Sequence, residues 1–285
     1  MNGILLIDKP KSWTSRDVVN YVSKKLNTKK IGHTGTLDPM ATGLLVVCIN
    51  DALKLVEPLM NHEKEYIAKI KLGIETDTLD ITGKITNKKS VPNITKESIK
   101  KVLNFFKGKT KQEVPLYSSI KINGKKIYEY ARNNEKVKLP IREIEIKNIE
   151  LIDTNEKDEI TFKCYVSKGT YIRSLARDIG IKLGTVATLT ELRRTKLGDF
   201  NIEEAYSIKD IEEEKIIIKP ILNILNIPKV TVDKNKEKKI RNGCILPAFF
   251  KENMAYIINE EGRLLAIYQK KDDNHVKPYR MFLSE

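Results

Sequence analysis

The apolar and polar residues of this chain repeat with two periods, one typical of strands and one typical of helices. Residues 3–7 and 44–49 are continuous apolar runs; the first predicts a short buried strand and the second a buried strand or helix. Residues 66–72, 144–146 and 160–166 alternate between apolar and polar side chains, which predicts half-exposed strands. Strands therefore make up a large part of the predicted fold.

Three stretches carry apolar residues three or four positions apart and predict helices. In the first, Thr14 is followed three residues later by Asp17, the spacing of a capping box, and we expect a helix from there to about Leu26. The other two stretches cover 99–106 and 172–183. Because strands and helices mix without a regular β-α-β alternation, the pattern favours an α+β fold over a doubly wound parallel sheet.

The pattern changes towards the C-terminus. Pro220 and Pro228 punctuate an apolar stretch that resembles a linker. Four short strand-like runs follow between 230 and 283, and a hairpin turn is expected at 260–263 between the middle two. The predicted units are a larger one, 1–228, with an inserted segment around 75–145, and a small, mostly-β one, 229–285.

The composition of the chain indicates which class of molecule it binds. The 285 residues include 52 lysines and arginines against 38 aspartates and glutamates, a formal net charge of +14. A surplus of this size attracts phosphate polymers, although a lysine-rich solvated surface is the alternative interpretation. No apolar run approaches the roughly 18 residues of a membrane-spanning helix, and no secretory pattern is present, so we expect a cytoplasmic protein that does not enter membranes.

The sequence contains none of the common motifs for binding metals or phosphate groups. Cys48, Cys164 and Cys244 are single and widely spaced, and the first two lie in apolar runs, which favours buried hydrophobic residues over redox or metal chemistry. The three histidines have no cysteine pair beside them, so no metal site is predicted. The glycine spacings match neither a P-loop nor a dinucleotide-binding fingerprint.

The densest local signal is the glycine-rich segment 32–43. It holds Asp38 directly before Pro39, and a residue before proline is restricted to extended conformations. Asp38 is therefore a rigidly presented carboxylate in a loop, with His33 nearby in sequence. A purely structural turn is the alternative interpretation.

Two other polar residues gain meaning beside this loop. Arg173 lies in the first turn of a predicted helix, where its guanidinium can clamp a carboxylate with two hydrogen bonds. Tyr66 heads an alternating strand, where it offers a ring for stacking and a hydroxyl for proton transfer. A half-buried core tyrosine is the alternative for Tyr66.

These motifs resemble those of a known family. Residues 32–43, Gly-His-Thr-Gly-Thr-Leu-Asp-Pro-Met-Ala-Thr-Gly, resemble the catalytic motif of the TruB family of pseudouridine synthases, which convert uridine 55 in the T loop of tRNA. Further segments resemble other motifs of that family in the same order along the chain: 5–15, 64–66 with 73–80, 115–132, 168–173 and 192–195. The region around 238–243 resembles part of a PUA RNA-binding domain. The resemblance implies a catalytic domain built on a mixed, mostly antiparallel sheet.

The resemblance also implies catalytic roles. Asp38 corresponds to the family's nucleophilic aspartate. Arg173 corresponds to its ion-pair partner, and Tyr66 to the tyrosine that stacks beside the target base. The attack on C1′ of the ribose and the attack on C6 of the uracil both remain open.

Four residues are expected to bind the substrate on the same basis. His33 corresponds to the histidine that helps to hold the T loop open. Lys9, Tyr171 and Leu192 fall on motif positions near the pocket.

The chain also departs from the family pattern at four positions. Ser12 stands where glycine is common, Val46 where proline is frequent, and Ser119 where alanine is usual. Thr188 stands where a histidine usually precedes the Leu-Arg-Arg-Thr element. None of these changes removes a residue with an implied catalytic role.

The partner implied by the resemblance is the T stem-loop of tRNA, bound by a monomer that needs no cofactor and no guide RNA. Two alternatives stay open. One is a guide-RNA-dependent pseudouridine synthase of the dyskerin type, and the other is a catalytically silent RNA-binding or RNA-chaperone protein in which Asp38 is only structural.

Overall fold

The secondary structure was taken from a computed structural model that describes residues 2–133, 135–154 and 158–282. The described strands are β1 Gly3–Lys9, β2 Ile31–His33, β3 Thr42–Ile49, β4 Lys64–Leu72, β5 Ile74–Thr76, β6 Ile85–Lys88, β7 Gly108–Glu113, β8 Lys121–Ile122, β9 Lys125–Lys126, β10 Ile141–Thr154, β11 Glu159–Val166, β12 Ala187–Leu197, β13 Phe200–Asn201, β14 Lys219–Pro220, β15 Lys229–Val232, β16 Leu246–Pro247, β17 Met254–Asn259, β18 Leu264–Lys270 and β19 His275–Met281. The described α-helices are α1 Ser15–Lys25, α2 Val56–Met60, α3 Lys96–Phe105, α4 Ile127–Arg132, α5 Ile172–Lys182, α6 Ile208–Glu212 and α7 Lys234–Arg241. Short 3₁₀ helices cover Asn50–Leu55, Ile202–Glu204 and Ile221–Asn223.

One ten-stranded sheet organises most of the chain. Its strands follow the order β14-β1-β3-β12-β4-β11-β10-β7, with β2 also paired to β3 and β13 to β12. Every pairing in this sheet is antiparallel except that of β12 with β3, which runs parallel. The predicted α+β fold with a mixed, mostly antiparallel sheet is confirmed.

The alternating pattern of β4 and β11 creates the main core. Ala68 pairs with Phe162 and Tyr66 with Cys164 across the two strands, and all four side chains are buried. Helix α5 lies over this face and adds its own buried apolar residues to the same cluster. A strand with one buried face and one exposed face produces the period of two that the sequence showed.

The two cysteines in apolar runs behave as small core residues. Cys48 and Cys164 are buried, as predicted, whereas Cys244 is partly exposed. Burial raises the pKa of the Cys48 thiol to about 12, which keeps it protonated and unreactive near neutral pH.

The three predicted helices are present. Helix α1 begins with the capping box that the sequence predicted, since Thr14 Oγ1 accepts from the Asp17 N–H at 3.0 Å and the Asp17 carboxylate accepts from the Thr14 N–H at 2.8 Å. Helices α3 and α5 occupy the two other stretches. Gly184, at φ 85°, follows the end of α5 in the left-handed conformation that commonly terminates a helix.

One central strand was not predicted from the sequence. Strand β12 pairs with both β3 and β4, yet no strand was predicted over Ala187–Leu197. The pairing with β4 shifts register between Leu189 and Glu191, so the alternation of buried and exposed side chains breaks within the strand. A period-two pattern is not visible across such an irregularity.

The C-terminal strands form a separate five-stranded sheet, ordered β15-β17-β18-β19-β16. The predicted hairpin turn connects β17 and β18, while Leu283, at the end of the last strand-like run, lies outside the described residues. The stretch interpreted as a linker is not solvated, because Ile221 and Ile224 are buried in a core shared with Tyr256 and Ile267. The boundary at residue 228 and the inserted segment remain predictions.

No helix in the described parts of the chain is long and apolar enough to span a membrane.

Burial along β10 predicts a sharp contrast between two isoleucines. Ile146 is fully buried in the main core, whereas Ile141 on the same strand is 65% exposed. Ile146→Ala is expected to lower the free energy of unfolding by about 2–5 kcal/mol, because it removes buried methyl groups and leaves a cavity. Ile141→Ala is the matched control and should change it by only about 0.5 kcal/mol. Urea denaturation monitored by circular dichroism measures both, and equal losses would contradict this assignment of the core.

Candidate active site

A cleft of about 340 Å³ opens where the loop after β2, the head of β4 and the first turn of α5 meet. This volume lies in the range of pockets that hold one small ligand, about 300–1,000 Å³. Five of the seven predicted site residues line the cleft: Asp38, Tyr66, Tyr171, Arg173 and Leu192. The topology therefore brings together side chains that are far apart in sequence.

The central contact in the cleft is an ion pair between Asp38 and Arg173. Arg173 Nε lies 2.9 Å from Asp38 Oδ2, and Arg173 Nη2 donates to Asp38 Oδ1 at 3.4 Å. The Arg173 side chain is 7% exposed and that of Asp38 is 33% exposed. The guanidinium thus fixes the carboxylate from the protein side and leaves it accessible from the cleft.

Arg173 is itself held by the surrounding backbone. Its Nη1 donates to the carbonyl of Thr78 at 2.9 Å and its Nη2 to the carbonyl of Tyr117 at 3.0 Å. A second carboxylate, that of Asp80, lies 3.9 Å from Nε. With its planar group fixed on several sides, Arg173 presents one orientation to Asp38.

Hydrogen bonds hold the loop that carries Asp38 in place. Ser15 Oγ accepts a hydrogen bond from the Leu37 N–H at 2.8 Å and donates to the Leu37 carbonyl at 3.1 Å. The Ala41 N–H donates to the carbonyl of Asp38 at 3.0 Å, closing a turn at Pro39. The carboxylate is therefore presented by an ordered loop, as the Asp-Pro pair predicted.

Lys9 lies outside the cleft lining, beneath this loop. Its side chain is fully buried, and Nζ donates to the carbonyls of Pro10, Trp13 and Pro39 at 3.0, 2.6 and 3.4 Å. Burial lowers the pKa of Lys9 to about 8, partly offset by the charge of Asp38. The contacts of Lys9 brace the loop, and its ammonium is turned towards backbone carbonyls instead of the cleft.

Tyr66 forms part of the cleft wall. It is 7% exposed and lies opposite Arg194 in the β4–β12 pairing. Burial raises the pKa of Tyr66, and the positive charge of Arg194 acts in the opposite direction. The side chain is thus a neutral phenol near pH 7, with its ring beside the space in which a ligand would lie.

His33 also lies outside the lining, at the end of β2. Its Nδ1 accepts a hydrogen bond from the Gly35 N–H at 3.2 Å, so the neutral ring carries its proton on Nε2. Burial lowers the pKa of His33, and the charges of Arg194 and Arg16 lower it further. His33 therefore offers a neutral ring and one N–H donor.

Tyr171 and Leu192 complete the predicted set. Tyr171 is the residue that precedes α5, and Gln112 fixes its backbone by accepting from its N–H at 2.8 Å and donating to its carbonyl at 3.1 Å. Leu192 is largely buried on β12, opposite Ala68. Both residues supply apolar surface to the cleft.

Two basic residues of the cleft were missed as site candidates. Lys64 heads β4, and its Nζ donates to the carbonyls of Met60 and His62 at 3.0 and 2.7 Å. Arg194 is 1% exposed and follows Leu192 by two positions on β12. Both lie in segments that resemble family motifs, but their place in the cleft depends on long-range strand pairing that spacing does not reveal.

The departures from the family pattern have local explanations at two positions. Ser12 has φ 70°, a left-handed conformation that glycine adopts without strain, which accounts for glycine being common there. Thr188 is fully buried, and its Oγ1 lies 3.0 Å from Thr76 Oγ1, so this contact joins β12 to β5. Ser119 lines the cleft.

Comparisons with known proteins identify the family of the chain. The family model for the N-terminal domain of the TruB family of pseudouridylate synthases matches residues 23–172. A second model, for the C-terminal domain of tRNA pseudouridylate synthase B, matches residues 173–221.

Two curated relatives span nearly the whole chain. The tRNA pseudouridine synthase B of Oceanobacillus iheyensis is 42% identical over 100% of this chain and 99% of its own length. The tRNA pseudouridine synthase B of Bacillus subtilis is 42% identical over 94% of this chain and 93% of its own length.

Two solved structures share the fold. A chain in the crystal structure of a Cbf5–Nop10–Gar1 complex has a TM-score of 0.72 at 26% identity, covering 98% of this chain and 84% of that one. A chain in the structure of an H/ACA RNP bound to a substrate RNA containing 2′-deoxyuridine has the same TM-score of 0.72 at 24% identity, covering 99% and 85%. Together with the full-length relatives and the matched models, these findings show that the chain belongs to the TruB family of pseudouridylate synthases.

Proposed function

We propose that this protein is a stand-alone tRNA pseudouridine synthase that isomerises uridine 55 in the T loop, with Asp38 as the nucleophile. The observation that carries the proposal is the Asp38–Arg173 ion pair, at 2.9 Å, at the wall of a cleft of about 340 Å³. Both curated relatives described above are named for this activity on tRNA. The reaction exchanges a C–N for a C–C bond with no atom gained or lost, so its chemistry requires no cofactor.

The cleft supplies groups suited to each part of that reaction. The carboxylate of Asp38 faces the cleft and can bond to C1′ of the ribose or to C6 of the uracil, while Arg173 fixes its direction. The target base must leave its stack to reach Asp38, at a cost on the order of a few kcal/mol. Stacking on the ring of Tyr66 returns about 1–3 kcal/mol of that cost.

The charge of the chain supports an RNA partner. A net charge of +14 favours association with phosphate backbones. Contacts of basic side chains with phosphates would fix the register of the RNA without reading its sequence. In the proposed small unit, 229–285, helix α7 carries five exposed basic residues beside the five-stranded sheet: Lys234, Lys236, Lys238, Lys239 and Arg241. We assign this unit a PUA-like RNA-binding role and the preceding residues, 1–228, the catalytic one.

The rival within the same class is an enzyme that depends on a guide RNA and partner proteins. The chains from the H/ACA RNP and from the Cbf5–Nop10–Gar1 complex share the fold at 24% and 26% identity, whereas the relatives named tRNA pseudouridine synthase B reach 42% over almost the whole chain. This difference favours action on tRNA without a guide. Monomeric state and cytoplasmic location belong to the proposal as predictions.

The first prediction concerns product formation. Purified protein incubated with an unmodified tRNA transcript, without guide RNA or other proteins, should form pseudouridine at position 55, mapped by chemical labelling and primer extension. Asp38→Asn should abolish the product while retaining tRNA binding, because it removes the nucleophilic oxygen with little change of shape.

A transcript with cytidine at position 55 is the matched substrate control. Product elsewhere in the tRNA would contradict the assigned position. Tight binding without any product by the wild type would favour the silent RNA-binding protein, and product only after addition of a guide RNA would favour the rival enzyme.

The second prediction separates catalysis from docking. Tyr66→Ala and Arg173→Ala should lower the single-turnover rate by about 10²-fold or more, because one removes the stacking ring and the other removes the group that orients Asp38. The dissociation constant for tRNA, measured by filter binding, should change by less than about threefold, since most binding energy comes from phosphate contacts. Binding and turnover that fall in proportion would make both residues docking groups.

The third prediction concerns the charge of His33. Because its folded pKa lies below the ordinary value of 6.5, the unfolded chain binds more protons between the two values. The contribution of His33 to stability is therefore complete above about pH 6.5 and declines as the pH falls through the folded pKa. NMR titration should place the His33 midpoint below 6.5, and the difference in unfolding free energy between wild type and His33→Gln should shrink over that window. A midpoint above 6.5 would contradict a neutral His33.

A further inference from the structure

The remaining unexplained group in the cleft is Arg194, a permanent cation enclosed by protein. It is 1% exposed and has the largest volume of the fully buried side chains in the described residues. Strand register places it between two neighbours, opposite Tyr66 on β4 and opposite Gly43 on β3. A Cβ atom at Gly43 would lie 2.3 Å from the Arg194 carbonyl oxygen, so glycine allows the two strands to meet at this point.

The guanidinium of Arg194 is fixed by neutral groups. Its Nε donates to the carbonyl of Leu44 at 2.7 Å, and its Nη2 donates to the carbonyl of Gly35 at 3.2 Å. Among the described residues, no carboxylate forms an ion pair with it, in contrast to Arg173 with Asp38. A buried charge without a counter-ion is costly, and two carbonyl dipoles and the neutral hydroxyl of Tyr66 compensate only part of that cost.

The positive charge of Arg194 extends into the cleft. Burial lowers the pKa of Lys64 to about 8, and Arg194 is the next cause of that shift. The pKa of His33 is also lowered, with burial as the largest cause and the charge of Arg194 as the next. The free protein therefore keeps a surplus of positive charge beside the ring of Tyr66.

The proposed reaction moves a negative charge to this region. If an Asp38 oxygen bonds to C1′, the electron pair of the N1–C1′ bond stays on the uracil. If the oxygen bonds to C6, the pair of the C5=C6 bond moves towards C5 and the C4 carbonyl oxygen. In both routes the carboxylate becomes a neutral ester and the pyrimidine ring gains one negative charge. Arg173 then loses the charge of Asp38 but keeps Asp80 3.9 Å from its Nε, and the ring needs a counter-charge of its own.

We propose that Arg194 is the counter-charge for the anionic uracil ring, whichever atom Asp38 attacks. The inference rests on the proposed function, since it assigns a further residue to that reaction. A cation fixed at the cleft wall stabilises a charge that exists only during the reaction, which lowers the barrier without strengthening substrate binding. In the free protein, the buried charge of Arg194 has no counter-ion in the described part of the chain and is therefore destabilising.

The competing explanation is a purely structural one, in which Arg194 only braces the loop through Gly35. Loss of the side chain would slow the reaction under both explanations. The charge must therefore be tested separately from the shape and the hydrogen bonds.

Chemical rescue of Arg194→Ala makes that separation. The substitution should lower the single-turnover rate on the tRNA transcript by about 10²–10³-fold, the usual cost of one lost electrostatic donor. Guanidinium ion should restore the rate at least about tenfold, whereas urea, a neutral molecule of the same planar shape, should not, since only the former replaces the charge. Neither additive should raise the wild-type rate, and the dissociation constant for tRNA should stay within about threefold of the wild-type value.

Ser15→Ala is the matched loop control, because Ser15 braces Leu37 without carrying a charge. Its rate should respond to neither additive. Arg194→Gln, which keeps N–H donors, covers the case in which Arg194→Ala does not fold, and it too should be slowed by about 10²-fold.

A wild-type rate in Arg194→Ala or Arg194→Gln would overturn the inference. Equal rescue by urea, or no rescue of a folded Arg194→Ala that still binds tRNA, would overturn it as well. A wild-type protein that forms no pseudouridine would instead refute the proposed function, so the two failures are distinguishable.

Discussion

The candidate site depends on one ion pair whose two members come from distant parts of the chain. Asp38 and Arg173 are 135 positions apart and meet at 2.9 Å. The carboxylate comes from a loop between two strands of the sheet and the guanidinium from the first turn of α5, so the pair forms only when the sheet and its covering helix are assembled. Folding of the core and formation of the site are therefore one event.

The buried cations in and beneath the cleft are compensated by nearby oxygen atoms. Arg173 is satisfied by a carboxylate and two carbonyls, and Lys9 by three carbonyls. Backbone oxygen atoms turned inward by loops are the main compensating groups, which explains why the surrounding segments are irregular instead of extended. The carboxylate of Asp38, in contrast, keeps an exposed face.

Much of this arrangement was predictable because it is encoded locally. The capping box at Thr14, the alternation in β4 and the helical spacing of α5 each involve residues within a few positions of one another. Asp38 was also found from local evidence, because a proline and several glycines restrict the loop around it. Resemblance to a family then joined it to Arg173.

The missed features share a different origin. Strand β12 carries a register shift that hides its alternation, and Arg194 reaches the cleft only through the pairing of that strand with β3 and β4. Lys9 faces backbone carbonyls beneath the loop, and its expected contact with the substrate remains a prediction. Each of these outcomes depends on which strands become neighbours, and spacing along a single sequence does not contain that information.

The shared core at the C-terminal end ties the two sheets together. Tyr256, on the small sheet, donates from its hydroxyl to the Ile221 carbonyl at 2.6 Å and accepts from the Leu225 N–H at 3.0 Å. A joint sealed by apolar packing and by a phenol bonded on both sides resists hinge bending. The basic helix of the small sheet is therefore carried at a set distance from the cleft, so under the proposed function one RNA has to reach both places across that distance.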